Sequence, residues 1–292
     1  MSIRQLRTLI AVRDNGSFSA AAEACFITHA AVSQQMKVLE RDWDVQLFDR
    51  RRRSPQLTPL GKAMAAKAEA VVRAYDAIVP SVRDAGALQG DIQLGAVPTT
   101  LTGLVPLAVS RLKLRFDAVR VVIQPGLSTQ LLQQIDRGNL DAAVITEPAK
   151  LPRQMKSRFI ADEPLHLLAP QHTESDDPFL LLRRHPFIRF DRDAVVGQMI
   201  QAWLLDHNIP VNDSMELEGL EAISSMVAAG LGVSIVPARC VREMNPMPVK
   251  QLSLGPNGPV RRLSLVWRED NPRPRMVDAV GTALETAVSI GA

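Results

Sequence analysis

The sequence predicts an α/β protein with an N-terminal winged helix-turn-helix, a long linker helix, and two α/β subdomains in series. Three observations carry this expectation. Residues 17–40 read SFSAAAEACFITHAAVSQQMKVLE, two helical patterns joined by a tight break, and the arginine run Arg50, Arg51, Arg52 and Arg53 follows closely. An alanine-rich run from Leu60 to about Ala85 has no interior break before Pro80. From Asp91 onward, apolar runs of strand length alternate with helical ones, the pattern of a parallel sheet.

Each element has a local reason. Ser2-x-x-Gln5 is a capping box ahead of Leu6, Leu9 and Ile10, so a first helix opens there and covers the helix-turn-helix. Ser17 caps the second helix, and Ala20, Ala21 and Ala24 let another helix cross closely. Thr28 caps the third. Val32, Met36 and Leu39 recur at i, i+4 and i+7 as its buried stripe, which turns Ser33, Gln34 and Lys37 outward to reach base edges in a major groove. The arginine run lies between Leu47-Phe48 and Leu57-Thr58, hence in the wing, where Arg holds phosphates or enters a minor groove. Thr58 before Pro59 starts the linker helix, whose narrow apolar face is Ala66, Ala70, Val71, Ala74 and Ile78. A second copy of the helix is the simplest partner for that face, the alternative being the chain's own C-terminal domain. Gly86 to Gly90 reads as a hinge.

Beyond the hinge, strands are expected at Asp91–Val97, Val119–Gln124 and Asp141–Thr146, with helices at Leu101–Arg115 and Ser128–Arg137. The pattern restarts with strands at Pro186–Phe190, Ser214–Glu218 and Gly232–Pro237, and with helices at Gly197–Leu205 and Leu220–Ala229. Arg262–Trp267 and a last helix, Arg275–Val288, return to complete the first unit. The expected domains are 1–58 (DNA-binding), 59–88 (linker and dimerisation helix) and 89–292 (two α/β units with a cleft between them). The last divides into subdomain I, about 89–161 and 265–292, and subdomain II, about 162–264.

With 292 residues, 46% of them hydrophobic, the chain has ample material for packed cores, which excludes a disordered class. Its formal charge of +3 is wholly local: residues 1–58 hold nine Lys or Arg against six acids, and the remainder nets zero. Cys25 and Cys240 stand far apart with no CxxC or CxxH partner, and His166, His172, His185 and His207 have neither metal spacing nor a triad arrangement. Neither a metal, a cofactor nor catalysis is expected. Arg4, Arg7 and Arg13 interrupt any secretory apolar region, and no stretch has membrane-spanning length, so a cytoplasmic location is expected.

The chain resembles the LysR-type transcriptional regulators of bacteria along its full length. The resemblance is carried by Arg4-Gln5-Leu6, Gly16-Ser17-Phe18, Ala21-Ala22, Ala31-Val32-Ser33-Gln34-Gln35, Leu39-Glu40, Leu47-Phe48, Arg50 and Leu57-Thr58-Pro59-x-Gly61. Gly95-Ala96-Val97-Pro98 and the run Val227–Val233 with Pro237 add weaker support. It implies a DNA-binding domain, a coiled linker helix, an effector-binding domain over 89–292 resembling periplasmic binding proteins, and dimers assembled into tetramers. The residues it places on DNA are Thr28, His29, Ala31, Ser33, Gln34, Lys37, Arg50 to Arg53 and Thr58, with Arg53 the first choice for the minor groove. His29 and Ala30 depart from the family's common Gln and Pro, so a Gln contact to adenine does not carry over.

Thr99, Thr100 and Ser128 each follow a strand and open a helix, where hydroxyls and free N–H groups hold a carboxylate. Both places resemble effector contacts in the family, although Ser and Thr are also ordinary caps. Val195, Val196 and Gly219 are the topological counterparts in the second unit, with Arg189 and Arg192 as further anion partners. Cys240 stands close to an expected helix start, which would lower its pKa and suit a redox-sensing thiol; the preferred reading is a packed thiol. The expected function is sequence-specific transcription control by a small, anionic effector bound between the two subdomains. Two alternatives stand beside it: an α/β enzyme or solute-binding protein with an accessory DNA-binding domain, and a nonspecific architectural DNA binder.

Overall fold

A computed structural model describes residues 1–49, 55–83, 88–242 and 246–291, with residues 73 and 76–83 as backbone alone. Helix α1 (Ile3–Asn15) opens on the expected capping box, Gln5 donating its backbone N–H to Ser2 Oγ and accepting from Ser2 N at 2.7 Å. It closes on Gly16, whose φ of +73° is left-handed. Ser17 caps α2 (Phe18–Ala24) and Thr28 caps α3 (His29–Trp43). Leu6, Leu9, Phe18, Ala21, Val32, Met36 and Leu39 meet in one core. Ala24 is exposed, contrary to expectation; Ala21 and Ala22 make the close crossing, being on the face shared with Phe18. Thr8, buried beneath, donates to Gln35 Oε1 at 2.6 Å and ties α1 to α3. Strands β1 (Phe48–Asp49) and β2 (Gln56–Leu57) pair antiparallel.

Helix α4 (Pro59–Arg83) continues past Pro80. Its packed side is Gly61, Ala65, Ala68 and Val72, which joins the same core and meets α1, helped by an Arg13–Glu69 ion pair at 2.7 Å. Of the face expected to be apolar and paired, Val71 and Ala74 are exposed and Ala66 and Ala70 half-buried. These elements form one compact unit, Met1–Gly86 with Asp136–Asn139; Ala87–Ile135 with Leu140–Ala292 form the other.

In the second unit, β3 (Gly90–Ala96), α5 (Leu104–Arg115), β4 (Val119–Pro125), α6 (Ser128–Asp136) and β5 (Ala142–Thr146) alternate, and β3 lies parallel to both β4 and β5. The sheet is nevertheless mixed. A 16-residue strand, β6 (Met155–Pro170), precedes α7 (Pro178–Arg184), β7 (Pro186–Phe190), α8 (Val195–Asp206), β8 (Asn212–Leu217), α9 (Leu220–Ala228), β9 (Ser234–Pro237) and β10 (Val249–Ser253). Then β11 (Val260–Arg268) returns antiparallel between β5 and β6, and α10 (Pro274–Gly291) packs on α5. The sheet order is β10-β6-β11-β5-β3-β4, with β9 also on β6, while β7 and β8 pair in parallel.

The first half of β6 borders β11, and its second half borders β9 and β10. One strand therefore feeds two cores, one around Leu94, Val144 and Leu265 and one around Leu167, Phe187 and Ile235. Among the described residues no helix is long and apolar enough to cross a membrane.

Candidate nucleic-acid interface and ligand cavity

Helix α3 presents its polar side as the periodicity requires. Val32, Met36 and Leu39 have no exposed surface, so Thr28, His29, Gln34 and Lys37 stand outward while Ala31 and Ser33 are half-buried beside them. Thr28 uses its hydroxyl to accept from Ala31 N at 3.2 Å, which fixes the start of the helix. Thr58 is half-buried. Its hydroxyl donates to the Gln46 and Leu47 carbonyls and accepts from Gly61 N at 2.9 Å, so it caps α4 and braces the strand before it. Arg50, Arg51, Arg52 and Arg53 lie outside the described residues.

Sequence reasoning missed how the wing is anchored. Glu40 Oε1 accepts from Leu47 N at 2.9 Å and Phe48 N at 3.1 Å, both residues being fully buried, so α3 holds the first wing strand directly. A side chain on Gly61 would collide with the Leu47 carbonyl, which accounts for glycine at that place in the Leu57-Thr58-Pro59-x-Gly61 pattern.

In the second unit, a cavity of about 40 Å³ opens where the strand ends of both lobes meet. Its walls include Thr99, Ser128, Val195, Val196 and Gly219, each one of the expected ligand residues. Thr99 follows β3, Ser128 starts α6, Val195 and Val196 start α8, and Gly219 precedes α9. Three helix N-termini therefore converge. Neither α8 nor α9 has a side chain capping it, which leaves N–H groups for a guest. Gly197 lets α8 start this close, because a side chain there would strike the Asp191 carbonyl.

Thr100 does not join the lining. It is 2% exposed in a 3-10 turn, and its hydroxyl donates to the Val97 carbonyl at 2.8 Å. The two adjacent threonines point differently because the turn rotates one inward and the other toward the cavity. Arg189 and Arg192 are also elsewhere: Arg189 grips Asp213 with Nε and Nη2 and reaches Gln201, and Arg192 Nη2 meets Asp213 at 2.8 Å.

The cavity's cation is Arg261 of β11, which the sequence reading passed over. It is 1% exposed; Nε donates to Glu163 Oε2 at 2.7 Å and Nη1 to Thr99 Oγ1 at 2.8 Å. Burial draws its pKa below the ordinary arginine range, and Glu163 opposes that pull. Its signal in the sequence is position: Arg261 shares strand parity with Leu263 and Leu265, both fully buried. The other oxygen of Glu163 accepts from Cys240 N at 2.7 Å. No helix begins at Cys240, and burial, reinforced by Glu163, pushes its thiol up to about 12, opposite to the lowered value expected of a helix start. Among the described residues no group of His, Cys, Asp and Glu could hold a metal ion.

An N-terminal reading head with a wing, followed by an α/β unit enclosing a small-molecule cavity, defines a ligand-responsive DNA-binding regulator. The chain belongs to the LysR family. Residues 3–62 match the model of the bacterial regulatory helix-turn-helix protein, lysR family, and residues 85–289 match the LysR substrate binding domain. A probable RuBisCO transcriptional regulator of Cyanidium caldarium is 30% identical over 245 residues, covering 80% of this chain and 77% of that protein. A full-length point variant of OxyR from Pseudomonas aeruginosa has the same fold, with a TM-score of 0.76 at 24% identity, covering 97% of this chain and 94% of that one. Full-length CbnR in complex with its target DNA matches at a TM-score of 0.71 and 19% identity, and each chain is covered completely. The family consists of transcriptional regulators rather than enzymes, which sets the enzyme alternative aside.

Proposed function

We propose that this regulator reads DNA through the N-terminal part of α3 and is controlled by a small effector carrying an acidic group, bound in the 40 Å³ cavity. The observation that carries the effector site is the convergence there of the starts of α6, α8 and α9 with the Thr99 hydroxyl and Arg261. Donors outnumber acceptors on that side of the cavity, as a carboxylate requires. Thr28, His29, Ala31, Ser33, Gln34 and Lys37 form the base-reading face, and Arg50 to Arg53 with Thr58 the wing side. The working protein is a cytoplasmic homodimer or tetramer joined through α4.

Two measurements test this. Metabolite libraries are screened by thermal shift, since a ligand bound only to the folded state raises the melting temperature. Thr99→Val with Ser128→Ala is expected to abolish the shift while leaving unliganded DNA affinity within about twofold; an unchanged shift places the ligand elsewhere. On the DNA selected by the protein in vitro, Ser33→Ala or Gln34→Ala is expected to cost about 1–3 kcal/mol. Affinity for random DNA should be unaffected, and an equal loss on both would remove the base-reading role.

A further inference from the structure

We propose that the effector is amphoteric, of the amino-acid class, with its carboxylate against Arg261, Thr99 and Ser128 and its protonated amine toward Asp191 and Glu218. This rests on the cavity being the effector site.

The first wall offers donors. Arg261 Nη2 lies 2.5 Å from Glu163 Oε2 but is buried and has no hydrogen-bond partner among the described residues. Thr99 Oγ1 accepts from Arg261, so its own proton is left for an acceptor in the cavity. A carboxylate satisfies both. Yet Glu163, 3% exposed, already balances the guanidinium, and the wall brings no net positive charge.

The opposite wall is acidic. Among the described residues Glu218 has no ion partner, and the Asp191 carboxylate accepts only from the backbone N–H of Asp193. Arg192, next in sequence to Asp191, is engaged by Asp213 and Glu216. With the Arg261–Glu163 pair neutral, the two free carboxylates make the lining net negative. A bare anion would be repelled, whereas a molecule bringing its own ammonium group answers both walls.

The test uses the full-length protein with the twenty common amino acids as probes in calorimetry. Each binder is compared with its carboxylic acid lacking the amine and its amine lacking the carboxylate; for L-alanine these are propionate and ethylamine. The expected result is binding of at least one amino acid, with both truncated analogues at least tenfold weaker. Glu218→Gln, an exposed change that leaves the fold intact, should weaken the amino acid about tenfold and leave the deaminated acid unchanged or tighter. A deaminated acid that binds wild type as tightly as the amino acid overturns the proposal, and leaves Asp191 and Glu218 as partners of the α8 and α9 N-termini only. So does the absence of binding by any amino acid. Amino-acid binding that survives Thr99→Val with Ser128→Ala overturns the cavity assignment itself.

Discussion

His166 is the residue whose disturbed titration falls in the mildly acidic range. Burial pushes its pKa down to about 4, against an opposing pull from Glu163. In the unfolded chain the imidazole takes a proton near pH 6.5, so between about 6.5 and 4 the unfolded state binds more protons. The stabilisation is complete above that window and is lost as pH falls through it, at up to about 1.4 kcal/mol per pH unit. Urea unfolding from pH 7 to 4 measures it, and His166→Gln should flatten the slope. At this scale the caps were legible, because Ser2 with Gln5, Ser17 and Thr28 act on neighbours within three residues. Arg261 was not, since its partners Glu163 and Thr99 stand 98 and 162 residues away in sequence. Thr99 and Thr100 illustrate the limit between these cases: both read as helix-start hydroxyls, and only the turn geometry separates them.

Among the elements, α4 allows a sharp contrast. Val72 is buried against α1, while Val71 and Ala74 are exposed on the side expected to meet a second copy. Glu at both Val71 and Ala74 should leave the melting temperature of the isolated N-terminal unit nearly unchanged but dissociate the oligomer in sedimentation, because a buried seam would then carry like charges. Val72→Asp should instead unfold that unit, with a cost of about 3 kcal/mol or more for burying an unpaired charge. A doubly substituted chain that sediments as wild type would show that another surface holds the assembly. The alternating elements of β3 to β5 and β7 to β9 could be read because their apolar runs are short, continuous and separated by helical patterns. Strand β6 escaped because Pro164 interrupts it, and proline ordinarily argues against a strand. Here it falls where the partners of β6 change from β11 to β9 and β10, so the missing N–H costs little.

For the molecule as a whole, the local charge excess and the linker run pointed to a boundary after the linker helix; the compact units are Met1–Gly86 with Asp136–Asn139 and Ala87–Ile135 with Leu140–Ala292. The return of a last strand and helix to the first lobe was legible in Arg262–Trp267 and Arg275–Val288; what could not be read was that β11 would lie antiparallel between β5 and β6, because those pairings join segments about a hundred residues apart. That return is testable. A chain ended at Gly258 keeps every residue of the second core but lacks β11 and α10, and so strips the first core of Leu263, Leu265, Val280 and Leu284. It should give an N-terminal unit that melts normally by calorimetry and a C-terminal unit with no cooperative transition. A second cooperative transition in that truncated protein would mean the returning strand is dispensable.

The central place of β11 in its sheet also sets a timetable. On the ribosome, β3, β4 and β5 emerge early, yet the strand that must lie beside β5 is made more than a hundred residues later. Until then β5 shows an open, apolar edge, Ala142–Thr146, to whatever surrounds the nascent chain. The reading head, complete by residue 83, has by then long been folded. A growing polysome therefore displays finished DNA-binding heads on chains whose second unit still waits for β11, which makes synthesis of that strand the step at which the sheet around the cavity can close.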